Sequence, residues 1–113
     1  MKRGEIWTVA GGGDYTGKPR PVAILQDDRF DATDSVTVCA FTTDPTEAPL
    51  FRVLVEPDGH NGLDAPSRLM VDKITNVRRT RIGERLGELS DADRVRLNQA
   101  IVVFLGLGSP RGR

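Results

Sequence analysis

One cysteine and one histidine in 113 residues remove several kinds of chemistry at the outset. A single thiol forms no internal disulfide, and a single imidazole supplies neither a paired acid and base nor the several His or Cys ligands of a zinc site within one chain. Cys39 lies in the apolar run Val36-Thr37-Val38-Cys39-Ala40-Phe41, where a thiol behaves as a small buried hydrophobe. His60 falls in Pro57-Asp58-Gly59-His60-Asn61-Gly62, a stretch of turn-forming residues that reads as a surface loop. Net charge is missing too. Sixteen basic residues balance sixteen acidic ones, which argues against a protein that coats nucleic acid by neutralising phosphates, so any anionic ligand must be met locally. No apolar stretch reaches membrane-spanning length, and Met1-Lys2-Arg3 runs into Gly4-Glu5 without the apolar segment of a secretion signal, so a cytoplasmic location is expected. Gly11-Gly12-Gly13 lacks both the Lys-Ser/Thr of a phosphate-binding loop and the spacing of a dinucleotide fingerprint, and reads as a flexible hairpin loop.

What is present is punctuated β-structure followed by one helix. The length suits a single domain, taken as residues 1–108, with 109–113 as a short tail. Apolar, β-branched runs between Gly, Pro and Asp predict strands over Glu5–Val9, Pro21–Gln26, Ser35–Phe41, Phe51–Glu56 and Arg68–Lys73, with a shorter pair at Thr75–Val77 and Glu84–Leu89. Ser90 suits a helix N-cap, and Asp93 the acidic third position of a capping box. Leu97, Ile101, Phe104 and Leu105 then recur at helical spacing as a stripe to pack on the sheet, and Gly106 and Gly108 end it. Short strands with one terminal helix predict a mainly β (α+β) fold: a small, bent antiparallel sheet or partly open barrel with a C-terminal helix.

The richest segment for function is Gly17-Lys18-Pro19-Arg20-Pro21. Both prolines lock their own φ angles and push Lys18 and Arg20 onto extended backbone, so Arg20 is a strong cation held with little freedom at a strand start or sheet edge. It can face a groove, or pair with a carboxylate along the edge. Thr42-Thr43 ends the third apolar strand; alternation puts Thr42 on the side of Val36, Val38 and Ala40, and Thr43 on the side of Cys39 and Phe41. In isolation Thr-Thr-Asp-Pro is an ordinary turn opening, and it gains weight only beside Arg20. In the strand predicted over 68–73, Arg68, Met70 and Asp72 share one face, where Asp72 could cap a turn, pair with a cation such as Arg20, or serve a site. Residues 68–85 hold Arg68, Lys73, Arg78, Arg79, Arg81 and Arg85 against Asp72 and Glu84, so this neutral chain has one basic stretch. It is either a solvated turn or a track for a phosphodiester chain.

Arg3-Gly4-Glu5-Ile6-Trp7, Gly17 through Asp28, the strand ending Phe41-Thr42-Thr43, Val71-Asp72-Lys73-Ile74, and the stretch from Arg81 to Ser90 together resemble the MazF/PemK/Kid toxin family, in order and over nearly the whole chain. The resemblance implies a small SH3-like barrel with a C-terminal helix. It also implies a homodimer, a MazE-like antitoxin as partner, and sequence-specific cleavage of single-stranded RNA without a metal or other cofactor. The family's functional arginine falls on Arg20, its strand-end threonine or serine on Thr42, and its later acidic residue on Asp72. Lys18, Thr43, Arg68, Arg78, Arg79 and Arg81 are the candidate RNA contacts. Two departures stand out: Asp14-Tyr15-Thr16 occupies the loop where many members carry Glu-Gln, and Met70 stands where some carry arginine. Asp14, Asp72, or Arg20 acting with a phosphate oxygen are therefore open as the general base. The same barrel is shared by CcdB-like poisons that bind gyrase through the helix and cut nothing. A regulatory module that binds nucleic acid without cleavage is the other rival.

Overall fold

The computed structural model describes residues 1–10 and 18–108. The strands are β1 (Glu5–Val9), β2 (Arg20–Ile24), β3 (Ser35–Thr42), β4 (Arg52–Val55), β5 (Ser67–Met70), β6 (Thr75–Arg78) and β7 (Ile82–Glu88), and they are followed by helix α1 (Asp91–Leu105). All strand pairs are antiparallel, in the order β4-β5-β3-β2-β1-β7, with β6 on β3 as well. The sheet bends without closing, as the bent, partly open barrel of the sequence reading requires. Gly11–Gly13, Asp14 and the tail 109–113 lie outside the described residues.

Alternation along the strands divides the apolar residues between two cores. Val9, Val22, Ile24, Val36 and Val38 point into the curl of the sheet and are joined there by Trp7, Ala40, Val77 and Ile82. Ile6, Ala23, Cys39, Phe41 and Leu69 point the other way, where Leu97 and Ala100 of α1 cover them. Each fully buried Ile, Leu or Val contributes about 1.5–3 kcal/mol, so the two layers together hold the bend.

Two expectations need correction. The strand predicted over Arg68–Lys73 stops at Met70, and Val71–Lys73 form a 3-10 turn. The cause is that β5 and β6 share one edge of β3: Phe41 pairs with Leu69 and Val38 with Thr75, and the residues in excess between them are absorbed as a turn around buried Val71. Asp72 thus leaves the strand face it was expected to share with Arg68 and Met70. Helix α1 is also not packed along its whole stripe. Leu97 and Ala100 are buried, but Phe104 and Leu105 are 46% and 56% exposed, with the Phe104 ring tilted against Phe51 at 6.0 Å between centroids. Its start is as expected, with Ser90 Oγ accepting from the Asp93 N–H at 3.1 Å, although the Asp93 carboxylate takes Arg96 instead of closing a capping box. Gly106, at φ +71°, ends it in the left-handed conformation.

Candidate active site

Arg20 and Thr42 come together through strand register. The pairs Val22–Ala40, Ala23–Cys39 and Ile24–Val38, continued to the strand ends, set Arg20 directly across from Thr42. On one side Thr42 pairs with Arg68 and Arg68 with Leu54; on the other, Arg20 pairs with Val9 and Val9 with Ile82. One transverse row therefore runs Leu54, Arg68, Thr42, Arg20, Val9, Ile82 across the sheet. Directly opposed residues share a face, and for Arg20 and Thr42 it is the face of Val22 and Val38, so both sit at the rim of the curled core. Arg20 is exposed at the first position of β2, the edge placement its two prolines demand. Thr42 Oγ1 accepts the Asp44 N–H at 3.1 Å, which leaves its own O–H to donate to a ligand.

Asp72 finds its cation in Arg52, a residue the sequence reading passed over. Arg52 Nε donates to Asp72 Oδ1 at 2.8 Å and Nη2 to Oδ2 at 3.1 Å, a forked pair with side chains 15% and 23% exposed. The Arg52 hydrogen bonds hold the Asp72 carboxyl below its ordinary value, and Asp72 raises Arg52 in return. A carboxylate held in this way is a weak proton acceptor at neutral pH; it braces the turn after β5 against the start of β4. Only the pairing of Arg52 with Met70 puts the two groups together, and no local pattern around Phe51-Arg52-Val53 signals it.

The other candidates separate into groups. Arg68 stands in the row beside Thr42, and its Nη1 reaches the Asp44 carbonyl at 3.4 Å. Arg81 closes the far flank, where its Nη2 donates to the Ala10 carbonyl at 2.6 Å beside Val9. Arg78 pairs with Ser35, at the end of β3 opposite Thr42, and Arg79 is tied there through Nε to the Thr33 carbonyl at 2.8 Å. Arg78 and Arg79 line a hollow with residues 32–35, so the expected continuous basic track is divided between two ends of the barrel. Lys18 and Thr43 are both exposed, Lys18 two residues before Arg20 and Thr43 just past the end of β3. Asp14 lies outside the described residues. Burial pushes the Cys39 thiol up to about 12, which makes it inert as a nucleophile. The His60 side chain is exposed in its loop, as expected.

Beyond Arg68 the row opens into a cleft of about 410 Å³ between β4, the 47–50 loop and α1, to which Arg96 and Gln99 of the helix contribute. No local pattern in the helix sequence marks Arg96 or Gln99 as lining a cleft. Among the described residues, no three His, Cys, Asp or Glu side chains are grouped to hold a metal ion, and no helix is long and apolar enough to cross a membrane.

Known proteins resemble this chain in sequence and fold. The chain is 55% identical over 107 residues to a probable endoribonuclease MazF of Mycolicibacterium smegmatis, covering 95% of this chain and 98% of that one. It is 30% identical to the endoribonuclease MazF of Staphylococcus saprophyticus, covering 98% and 96%. Among solved structures, the Mycobacterium tuberculosis toxin MazF-mt6 superposes with a TM-score of 0.69 at 28% identity, over 85% of this chain and 92% of that one. An endoribonuclease in complex with its cognate antitoxin, from a mycobacterial species, shares the fold with a TM-score of 0.80 at 24% identity, over 97% and 99%. The family model for the PemK-like, MazF-like toxin of type II toxin-antitoxin systems matches residues 2–105, and the chain belongs to that family.

Proposed function

We propose that this protein is the endoribonuclease toxin of a type II toxin-antitoxin system, cutting single-stranded RNA in the cytoplasm at a short sequence. The observation that carries the reading is the pairing of β2 with β3, whose register, continued to the strand ends, brings Arg20 opposite Thr42 at the rim of the barrel. In the reaction the RNA's own 2′-oxygen attacks the adjacent phosphorus and the bond to the 5′ oxygen breaks. The products are a 2′,3′-cyclic phosphate and a 5′-hydroxyl, and neither a metal nor a cofactor takes part. The Arg20 guanidinium stabilises the added negative charge at phosphorus by a forked pair of hydrogen bonds, and the Thr42 hydroxyl donates to a non-bridging oxygen. Arg68 and Arg81 hold the chain on either side. Since Asp72 is committed to Arg52, the 2′ proton passes to Asp14 or to a phosphate oxygen held by Arg20, and the departing 5′ oxygen takes its proton from the Arg20 guanidinium, which regains it from solvent.

Two partners follow. A second copy covers the apolar end of the helix beyond the cleft, where Phe104, Leu105 and Leu107 are exposed, and a MazE-like antitoxin blocks the RNA groove. The test is to incubate purified protein with total RNA and map the new ends. Cleavage that persists in EDTA and fails on an all-deoxy copy of the substrate supports the reading. Loss of cleavage in EDTA with recovery in magnesium refutes the metal-free chemistry, and no cleavage under any condition favours a gyrase-binding or regulatory role.

A further inference from the structure

The cleft next to Arg68 is built differently from the catalytic row. Its walls are apolar, formed by Pro49, Leu50 and Val103, with Leu50 69% and Val103 59% exposed. Its polar groups are of both kinds: Arg96 and Gln99 bring donors from the helix, Gln99 adds an acceptor, and Glu47 on the facing loop adds a carboxylate. The cations here are largely compensated. Arg52 is paired with Asp72, and Arg96 Nη1 is shared between Asp93 at 3.0 Å and the Leu54 carbonyl at 2.7 Å. Glu47 offsets what Arg68 adds.

A phosphate gains little from such a balanced site, whereas a flat neutral group with donor and acceptor edges matches both the apolar walls and the mixed polar groups. A volume near 410 Å³ is at the small end for ligand pockets, in keeping with one ring system. We infer that this cleft receives one unstacked base of the RNA, next to the scissile phosphate, and that Gln99 and Glu47 read its edge and set part of the sequence preference. Arg68 joins the two sites, because it lies both in the row beside Thr42 and in the wall of the cleft. Bases of single-stranded RNA are recognised by being splayed from the stack onto a side-chain surface and hydrogen-bonded along their edges. This inference rests on the nuclease reading.

The test varies one base at a time around the mapped cut in short oligoribonucleotides. For each, kcat/KM is measured for cleavage, and affinity is measured for a 2′-O-methyl version that cannot be cut. The proteins are wild type, Gln99→Ala and Glu47→Ala; both residues are exposed, and thermal melts confirm that the variants fold. The expected result is a wild-type preference of at least about tenfold at one flanking position that falls to about twofold in either variant, with preferences elsewhere retained. Unchanged preference at every position, or a uniform loss at all of them, overturns the inference. So does a change in the mass of the assembly with no change in base preference, which gives the cleft to a second copy instead. If wild type cuts no RNA, the nuclease reading fails, while the 2′-O-methyl affinities still decide whether the cleft reads a base.

Discussion

Arg20 sits at the first position of β2 between two prolines, which hold its backbone extended at the strand end. Arg20→Ala is expected to lower kcat by about 10²–10³-fold or more, as for a lost oxyanion donor, with a cooperative melt showing that the fold is retained. Arg20→Lys should recover only part, since a point charge cannot form the fork. Full activity in the alanine variant would place the chemistry elsewhere. Asp72 poses the opposite case. With both oxygens taken by Arg52 and its carboxyl lowered by that bond, it acts by position. Asp72→Asn should therefore reduce stability by about 1–3 kcal/mol while leaving the shape of the pH–rate profile as it was. Loss of the acidic limb of that profile in the variant would restore Asp72 as the base.

At the scale of elements, loops are anchored by single polar side chains that the strands themselves do not need. Asn61 is fully buried: its amide donates to the Glu56 carbonyl at 2.9 Å, and its oxygen accepts from Leu63 N–H at 3.0 Å and Asp58 N–H at 3.3 Å. The loop it ties lies against β7 so closely that a Cβ on Gly87 would stand 2.1 Å from the His60 carbonyl oxygen. Asn61→Ala orphans several buried backbone groups and is expected to cost more than about 2 kcal/mol in a urea melt. A change under about 0.5 kcal/mol, the range of ordinary surface substitutions, would mean that water takes over those bonds. Placement of Asp72 belongs to this scale as well, because the turn after β5 exists to let β5 and β6 share one edge of β3.

Across the whole molecule, two properties depend on many residues at once. The apolar end of α1 predicts a two-fold dimer, with light scattering at micromolar concentration giving about twice the 12.4 kDa chain mass. Leu105→Glu should shift it toward monomer; a wild-type monomer that still cuts RNA would remove the need for pairing. Stability in acid follows from carboxyls held below their ordinary values. Arg52 lowers Asp72, and the N–H groups of Arg29 and Thr46 lower Asp27 and Asp44. For Glu5 partial burial pushes up, but hydrogen bonds from the Lys2 N–H, Trp7 and Arg85 outweigh it. A carboxyl lowered in the folded state stabilises above its unfolded value and loses that contribution as pH falls through the folded one. Melting temperature should thus be level at neutral pH and decline below about pH 4, near the ordinary carboxylate values. A decline that begins at pH 6 would point to another group.

The amino-acid sequence by itself determined most of the strands, the helix start and the positions of Arg20 and Thr42 at strand ends. Alternation, proline geometry and the Ser90 cap are local rules that act within a few residues. It also determined the family, through motifs in order along the chain. Only the tertiary structure decided who meets whom. Asp72 joined Arg52 because β4 and β5 pair with Arg52 opposite Met70. Arg78 and Arg79 parted from Arg68 because β6 and β5 occupy opposite ends of β3. Phe104 and Leu105 stayed largely exposed because packing between elements, and not helical spacing, decides how much of an apolar stripe is covered. Each outcome depends on long-range register and on where a neighbouring element stops, which a pattern confined to a few neighbouring residues does not encode.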